Sequence, residues 1–201
     1  QVAFTWDADL HAGVTRLART HQCSVFMVVQ AALAALLTRL GAGTDIPIGS
    51  PIAGRTDDAL EDLVGFFVNT LVLRTDTSGD PSFAELLERV RETDLAAYAH
   101  QDVPFERLVE AVNPARSMAH HPLFQVLLVL QNTEDAQLAL PGLRAVLEDV
   151  ETGAAKVDLT FNMEELYSAE RAPAGMTGTV EFATALFDRE TAEALAQRLE
   201  R

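Results

Sequence analysis

The stretch that decides the fold runs from Ile46 to Thr75 and reads IPIGSPIAGRTDDALEDLVGFFVNTLVLRT. It opens on a short apolar run, Ile46–Ile52, broken by Gly49 and Pro51, which reads as a strand. An acidic turn from Asp57 to Asp62 follows, and then a longer apolar run, Val64–Leu73, predicts a second strand. Two residues here are expensive to bury without partners: Arg55 on the tight turn and the Asn69 amide within the second run. Two apolar strands carrying such groups read as the floor of a site. The plainer alternative leaves Arg55 solvated and Asn69 closing a strand.

Working outward, the flanking segments alternate helix and strand. Asp7 and Asp9 precede a helical pattern in HAGVTRLARTH, and Ser24 caps a second helix, Val25–Leu40, that Gly41 and Gly43 end. That second helix is apolar around most of its circumference, which predicts burial on more than one side. After the turn TSGDP, Ser82 starts a long helix, Phe83–Ala99, and Pro104 opens a shorter one, Pro104–Val112. Leu123–Leu130, Leu143–Val150, Val157–Met163 and Met176–Phe182 are strand candidates, Ser168–Gly175 reads as a flexible loop, and Asp188 caps a last helix, Arg189–Leu199. Helices interleaved with about six strands predict an α/β two-layer sandwich, a mixed sheet with helices packed on it.

Composition narrows the function. A 201-residue chain with 48% hydrophobic residues can build one substantial core. Thirty acidic against 15 basic side chains give a net charge of −15, so no basic face for nucleic acid is expected. The single cysteine, Cys23, allows neither a disulfide framework nor a zinc set and points to a reducing, cytoplasmic setting. No apolar run reaches the roughly 18 residues of a membrane span, and QVAFTWDADL has no signal-peptide pattern.

Chemistry-bearing motifs are sparse. GSPIAGRT, residues 49–56, approaches a phosphate loop, but Pro51 removes a donor, Arg55 stands for the lysine, and Asp57 and Asp58 repel phosphate. A structural turn is preferred. His120-His121 could supply a general base but has no nearby acidic partner, and His100-Gln101-Asp102 suits helix capping better than proton transfer. His11 and His21 flank the first helix without evident partners and read as surface or cap residues. Neither a nucleophile elbow nor a metal-ligand spacing is present, and no complete catalytic set emerges from the residues alone.

Four strings, IPIGSPIAGR, VGFFVNTLVLR, HQDVPFERLVE and HPLFQVLLVLQN, together with the helix SVFMVVQAALAALLTRLGAG, resemble the later motifs of nonribosomal peptide synthetase condensation domains. The resemblance covers nearly the whole chain. It implies one chloramphenicol-acetyltransferase-like lobe, the C-terminal one of two, spanning residues 1–201. The HHxxxDG motif of the other lobe is absent, and His120-His121 does not replace it, so the resemblance places no catalytic residue in this chain. It places Asn132, Asn69, Phe66 and Phe67 along the substrate channel, Arg55 at the lobe interface opposite the motif aspartate, and Lys156–Met163 where the lobe reaches across. The activity implied is amide formation between aminoacyl or peptidyl thioesters, with no bound cofactor or metal. The substrates would ride on phosphopantetheine arms of donor and acceptor carrier proteins. Implied partners are the N-terminal lobe and those carrier proteins, met by local basic spots or apolar contacts around Arg89, Arg91 and Arg107, with self-association of the isolated lobe; a silent docking module is the alternative.

Overall fold

The computed structural model describes residues 1–55, 58–60, 63–115, 117, 120–131, 143 and 153–201. Twelve elements follow in order: β1 Val2–Trp6, α1 Ala8–Thr20, α2 Val25–Arg39, β2 Asp45–Ile52, a 3-10 turn Asp58–Leu60, β3 Asn69–Asp76, α3 Phe83–Tyr98, α4 Phe105–Val112, β4 Val126–Gln131, β5 Leu159–Tyr167, β6 Pro173–Phe182 and α5 Arg189–Glu200. The strands form one mixed sheet in the order β1-β6-β5-β4-β2-β3. Neighbours β2, β4 and β5 run parallel, and the outer pairings are antiparallel.

Helix starts follow local chemistry. Asp7, Ser24 and Asp188 each accept a hydrogen bond from the backbone N–H three residues on, and Ser82 with Glu85 completes a reciprocal capping box. α2 is the central helix. Val29, Leu33, Ala34 and Leu37 pack on the sheet beside α5, while Met27, Val28 and Ala31 pack against Ala18 of α1 and Leu86, Leu87 and Val90 of α3. Its all-round apolar character is thereby accounted for: two cores meet on one helix.

The structure departs from the expected elements at several points. Val64–Val68 is not strand, because β3 begins at Asn69, opposite Ile52, the last residue of β2. Upstream of that pair the chain has no β2 residue to bond. β1, an edge strand registered from Val2↔Val180 to Trp6↔Met176, carries only five residues and was not anticipated. Leu159–Met163 forms the core of β5, paired on both sides. Part of the expected loop Ser168–Gly175 is ordered hairpin, with Ser168 N–H bonded to the Ala172 carbonyl and β6 starting at Pro173. The Leu143–Val150 candidate lies outside the described residues apart from Leu143. No single helix is long and apolar enough to cross a membrane among the described residues.

Candidate functional site

Because β2, β4 and β5 are parallel, their carboxyl ends share one end of the sheet. In open α/β sheets that end is where ligands sit, since the loops leaving it are free to vary while the strands hold them rigidly. Asn69 lies there, beside Ile52, and Arg55, Phe66 and Phe67 occupy the loop joining β2 to β3. Gln131 ends β4 at the same end. Asn132, the next residue, lies outside the described residues.

Asn69 is a structural clamp. Its Nδ2 donates to the carbonyls of Gln101 and Val103, both at 2.8 Å, and its Oδ1 accepts from the N–H groups of Thr70 at 2.9 Å and Phe105 at 3.0 Å. An amide has two donors and two lone pairs, so all four are spent on backbone. The side chain therefore fixes the turn between α3 and α4 against β3. Gln101 and its neighbours His100 and Asp102 make that turn, with the His100 N–H bonded to the Ala97 carbonyl.

Arg55 is held inside its own lobe. Its guanidinium donates to the carbonyl of Leu60, and to that of Leu63 at 2.7 Å, and lies 4.2 Å from the Phe67 ring centroid. A planar cation suits this combination of carbonyls and ring face. The turn folds back and supplies these partners from within the chain. Gly54, at φ +65°, permits the fold-back, because a Cβ there would collide with the Phe67 carbonyl oxygen. Phe67 is half-buried beneath Arg55, whereas Phe66 is 90% exposed.

The remaining sequence candidates resolve differently. Gly49–Ile52 lies in β2 rather than in a loop, so its N–H groups cannot cradle a phosphate. His121 stacks on Phe105 at 5.4 Å and tilts against Phe124 at 4.0 Å, and burial pushes its imidazole below the ordinary value. Phe124 in turn packs against Gly49, which has no Cβ to obstruct it. The basic spots are locally engaged: Arg89 bonds the Asp76 and Ser78 carbonyls, Arg91 the Gln22 carbonyl, and Arg107 pairs with Glu110. No group of three His, Cys, Asp or Glu converges as a metal set among the described residues. An apolar cleft of about 390 Å³ opens near Leu37, Leu159, Phe187 and Leu195, away from Arg55, Phe66, Phe67 and Asn69.

One cluster escaped sequence reasoning. His11 is completely buried rather than superficial. Its Nδ1 accepts from the Gly175 N–H at 3.3 Å, its Nε2 lies 3.0 Å from Glu165 Oε1, and Tyr167 donates to the same oxygen at 2.8 Å. With Nδ1 accepting, Nε2 carries the hydrogen and donates to the carboxylate. Burial first, then the bond to Glu165 and its charge, raise the Tyr167 phenol to about 12, so it stays a donor. The relay ties α1 to the β5–β6 hairpin at the carboxyl end of β5. No spacing signal marks it, because its members are 154 residues apart.

Comparison with known proteins gives a consistent answer. The condensation-domain family model matches residues 1–201. A dimodular nonribosomal peptide synthase of Bacillus subtilis is 62% identical over 200 residues, covering all of this chain and 8% of that one. The X-domain from teicoplanin biosynthesis is 38% identical with a TM-score of 0.92, this chain covering 45% of it. A complex of that X-domain with OxyB matches at 37% identity and a TM-score of 0.89, over all of this chain and 43% of that one. The chain therefore spans only a small share of the synthase and less than half of each X-domain chain.

Proposed function

As this chain belongs to the condensation-domain family of nonribosomal peptide synthetases, we propose that it is the C-terminal lobe of such a domain and forms one wall of its amide-forming channel. An aminoacyl or peptidyl group held as a thioester on a donor carrier protein is attacked by the amine on an acceptor carrier protein. Holding both tethered substrates in one channel removes much of the entropic barrier. The general base belongs to the HHxxxDG motif, which this sequence does not contain. The lobe is therefore inactive until it faces one carrying that motif.

The observation that carries this reading is the gathering of Arg55, Phe66, Phe67 and Asn69 at the carboxyl end of the parallel strands, next to Gln131. Asn132 and Phe66 line the channel in this reading. Asn69 and Phe67 shape its floor from below, the first by clamping the turn at Gln101 and the second by seating Arg55. Arg55 presents the loop at the lobe interface. In this reading the phosphopantetheine arms that carry the substrates belong to the carrier proteins.

Mixing this chain with an N-terminal lobe and loaded donor and acceptor carrier proteins tests the proposal. Dipeptidyl thioester, read by intact mass, is expected only when both lobes are present. A formed complex without product favours a second reading, which the likeness to an X-domain solved with OxyB supports: a silent docking module for carrier proteins or tailoring partners.

A further inference from the structure

The helices α1, α2 and α5 pack on one face of the sheet, against Trp6 of β1, Met176 of β6, Met163 of β5 and Leu130 of β4. Successive strand residues point to opposite faces, so Thr5, Thr177, Glu164 and Gln131 point away from those helices. The register aligns them: Thr5 pairs with Thr177, Thr177 with Glu164, and Glu164 with Gln131. The four side chains form one straight row across four strands, with neighbouring strands about 4.8 Å apart. The row is level with the carboxyl end of β4, which Gln131 closes.

This row is open and its polar groups are unspent. Thr5, Glu164 and Gln131 are exposed and Thr177 is half-buried. Among the described residues, none of the four side chains makes a hydrogen bond or an ion pair. Glu165, the next residue, differs on both counts: it faces the helices, and one of its oxygens serves His11 and Tyr167. Asn69 likewise has no bonding capacity left. At this end of the sheet the row therefore keeps a carboxylate in reserve, with a neutral amide on one side and a hydroxyl on the other.

The chemistry of the row selects its ligand. Glu164 offers a carboxylate, Gln131 an amide carbonyl and Thr177 a hydroxyl oxygen, three acceptors on three adjacent strands. A primary ammonium carries one positive charge and three N–H donors that fan out from one atom. A calcium-like cation takes six or more oxygen ligands, usually with several carboxylates, and this row has one. A guanidinium prefers a carboxylate met edge-on in its own plane, and gains little from acceptors spread across strands. An anion is repelled by Glu164.

We propose that Glu164, with Gln131 and Thr177 beside it, binds the primary ammonium of the acceptor substrate and so selects an amine over a hydroxyl as the attacking group. The inference rests on the condensation reading above and deepens it by placing the acceptor amine on the face of the sheet opposite the helices. A free α-amino group titrates near pH 8, so most of the acceptor arrives as the ammonium at neutral pH. Glu164 holds that form, and the proton then leaves to the base of the facing lobe before attack. In the lobe alone the carboxylate stands in water and binds weakly; a facing lobe excludes water and strengthens the pair.

The test titrates isotope-labelled chain with alaninamide at pH 7, alone and with the N-terminal lobe added, and follows backbone amide shifts. Lactamide, which replaces the ammonium by a hydroxyl, is the matched probe. Shifts centred on residues 131, 164 and 177 are expected with alaninamide only, and binding should tighten when the second lobe is present. Glu164→Gln keeps the size of the side chain and should weaken alaninamide roughly tenfold. Glu181→Gln removes an acid from the same face, four residues along β6, and should change nothing. In the two-lobe assay Glu164→Gln should lower kcat/KM about tenfold for an alanyl acceptor and leave a lactyl acceptor unaffected. Equal shifts with both probes, no shifts, or equal weakening in Glu181→Gln would overturn the proposal. Alaninamide binding at Glu164 without any product overturns the condensation reading alone. Product that is insensitive to Glu164→Gln overturns the ammonium site alone.

Discussion

His11 Nε2 and Glu165 Oε1 stand 3.0 Å apart and join the first helix to the fifth strand across 154 residues of sequence. The imidazole is fully buried and the carboxylate partly so, which makes this bond stronger than its surface counterparts and its loss more damaging.

His11→Ala should destabilise the lobe by about 3 kcal/mol, from a cavity plus a carboxylate left with only its Tyr167 donor. Urea unfolding measures it. Glu165→Gln keeps an acceptor and should be milder, and it should also lower the Tyr167 phenol from about 12, read by ultraviolet titration.

Asp94 should make stability fall as pH rises. Its side chain is fully buried, with Oδ1 accepting from Gln30 Nε2 at 3.0 Å and Oδ2 without a partner. Burial, partly opposed by that bond, raises its pKa from 3.8 to about 6. The folded state therefore holds the proton more tightly than the unfolded chain. The stabilisation is full below about pH 4 and is lost as pH passes 6, about 3 kcal/mol in all. Asp45, Asp76, Glu85, Glu170 and Asp188, whose pKa values are lowered, act in the opposite sense. The wild type must accordingly be compared with Asp94→Asn: the variant should gain relative stability between pH 4 and 6, and a flat difference would refute the assignment.

Asn69→Ala removes four hydrogen bonds to backbone and should cost about 3 kcal/mol. Hydrogen exchange should quicken first at the Phe105 N–H, which loses its acceptor. Asn69→Asp keeps the acceptor and loses both donors, so Phe105 should stay protected in that variant.

Arg55→Ala should change the stability of this chain by less than about 1 kcal/mol, since the loop it holds is largely exposed. In the two-lobe assay it should abolish most product. Arg55→Lys should fail to restore it, because an ammonium cannot serve two carbonyls and a ring face at once.

Val64 is fully exposed and Phe66 nearly so, with Leu63 and Val68 about half-exposed beside them. Such an apolar strip invites association. Sedimentation of the chain should show concentration-dependent self-association, and Phe66→Ser should reduce it.

Much of the fold was legible because its signals are local. The starts of α1, α2, α3 and α5 are set by Asp7, Ser24, Ser82 and Asp188, each acting on an N–H three residues away. The apolar circumference of α2 announced its double burial. The strings around Arg55, Asn69 and Gln131 were likewise readable as one family's pattern. Val64–Val68 misled because apolar, β-branched composition predicts a strand only where a partner strand exists, and β2 had already ended.

By itself, then, the sequence determined the helices, most of the strands and the family, all from patterns within a few residues of one another. Only the tertiary structure decided that His11 is buried on Glu165, that Asn69 spends its whole amide on backbone and that Arg55 turns inward. Each of these depends on which distant segment lies alongside. That is settled by sheet order and packing, where burial and pairing energies act between residues whose separation along the chain carries no information.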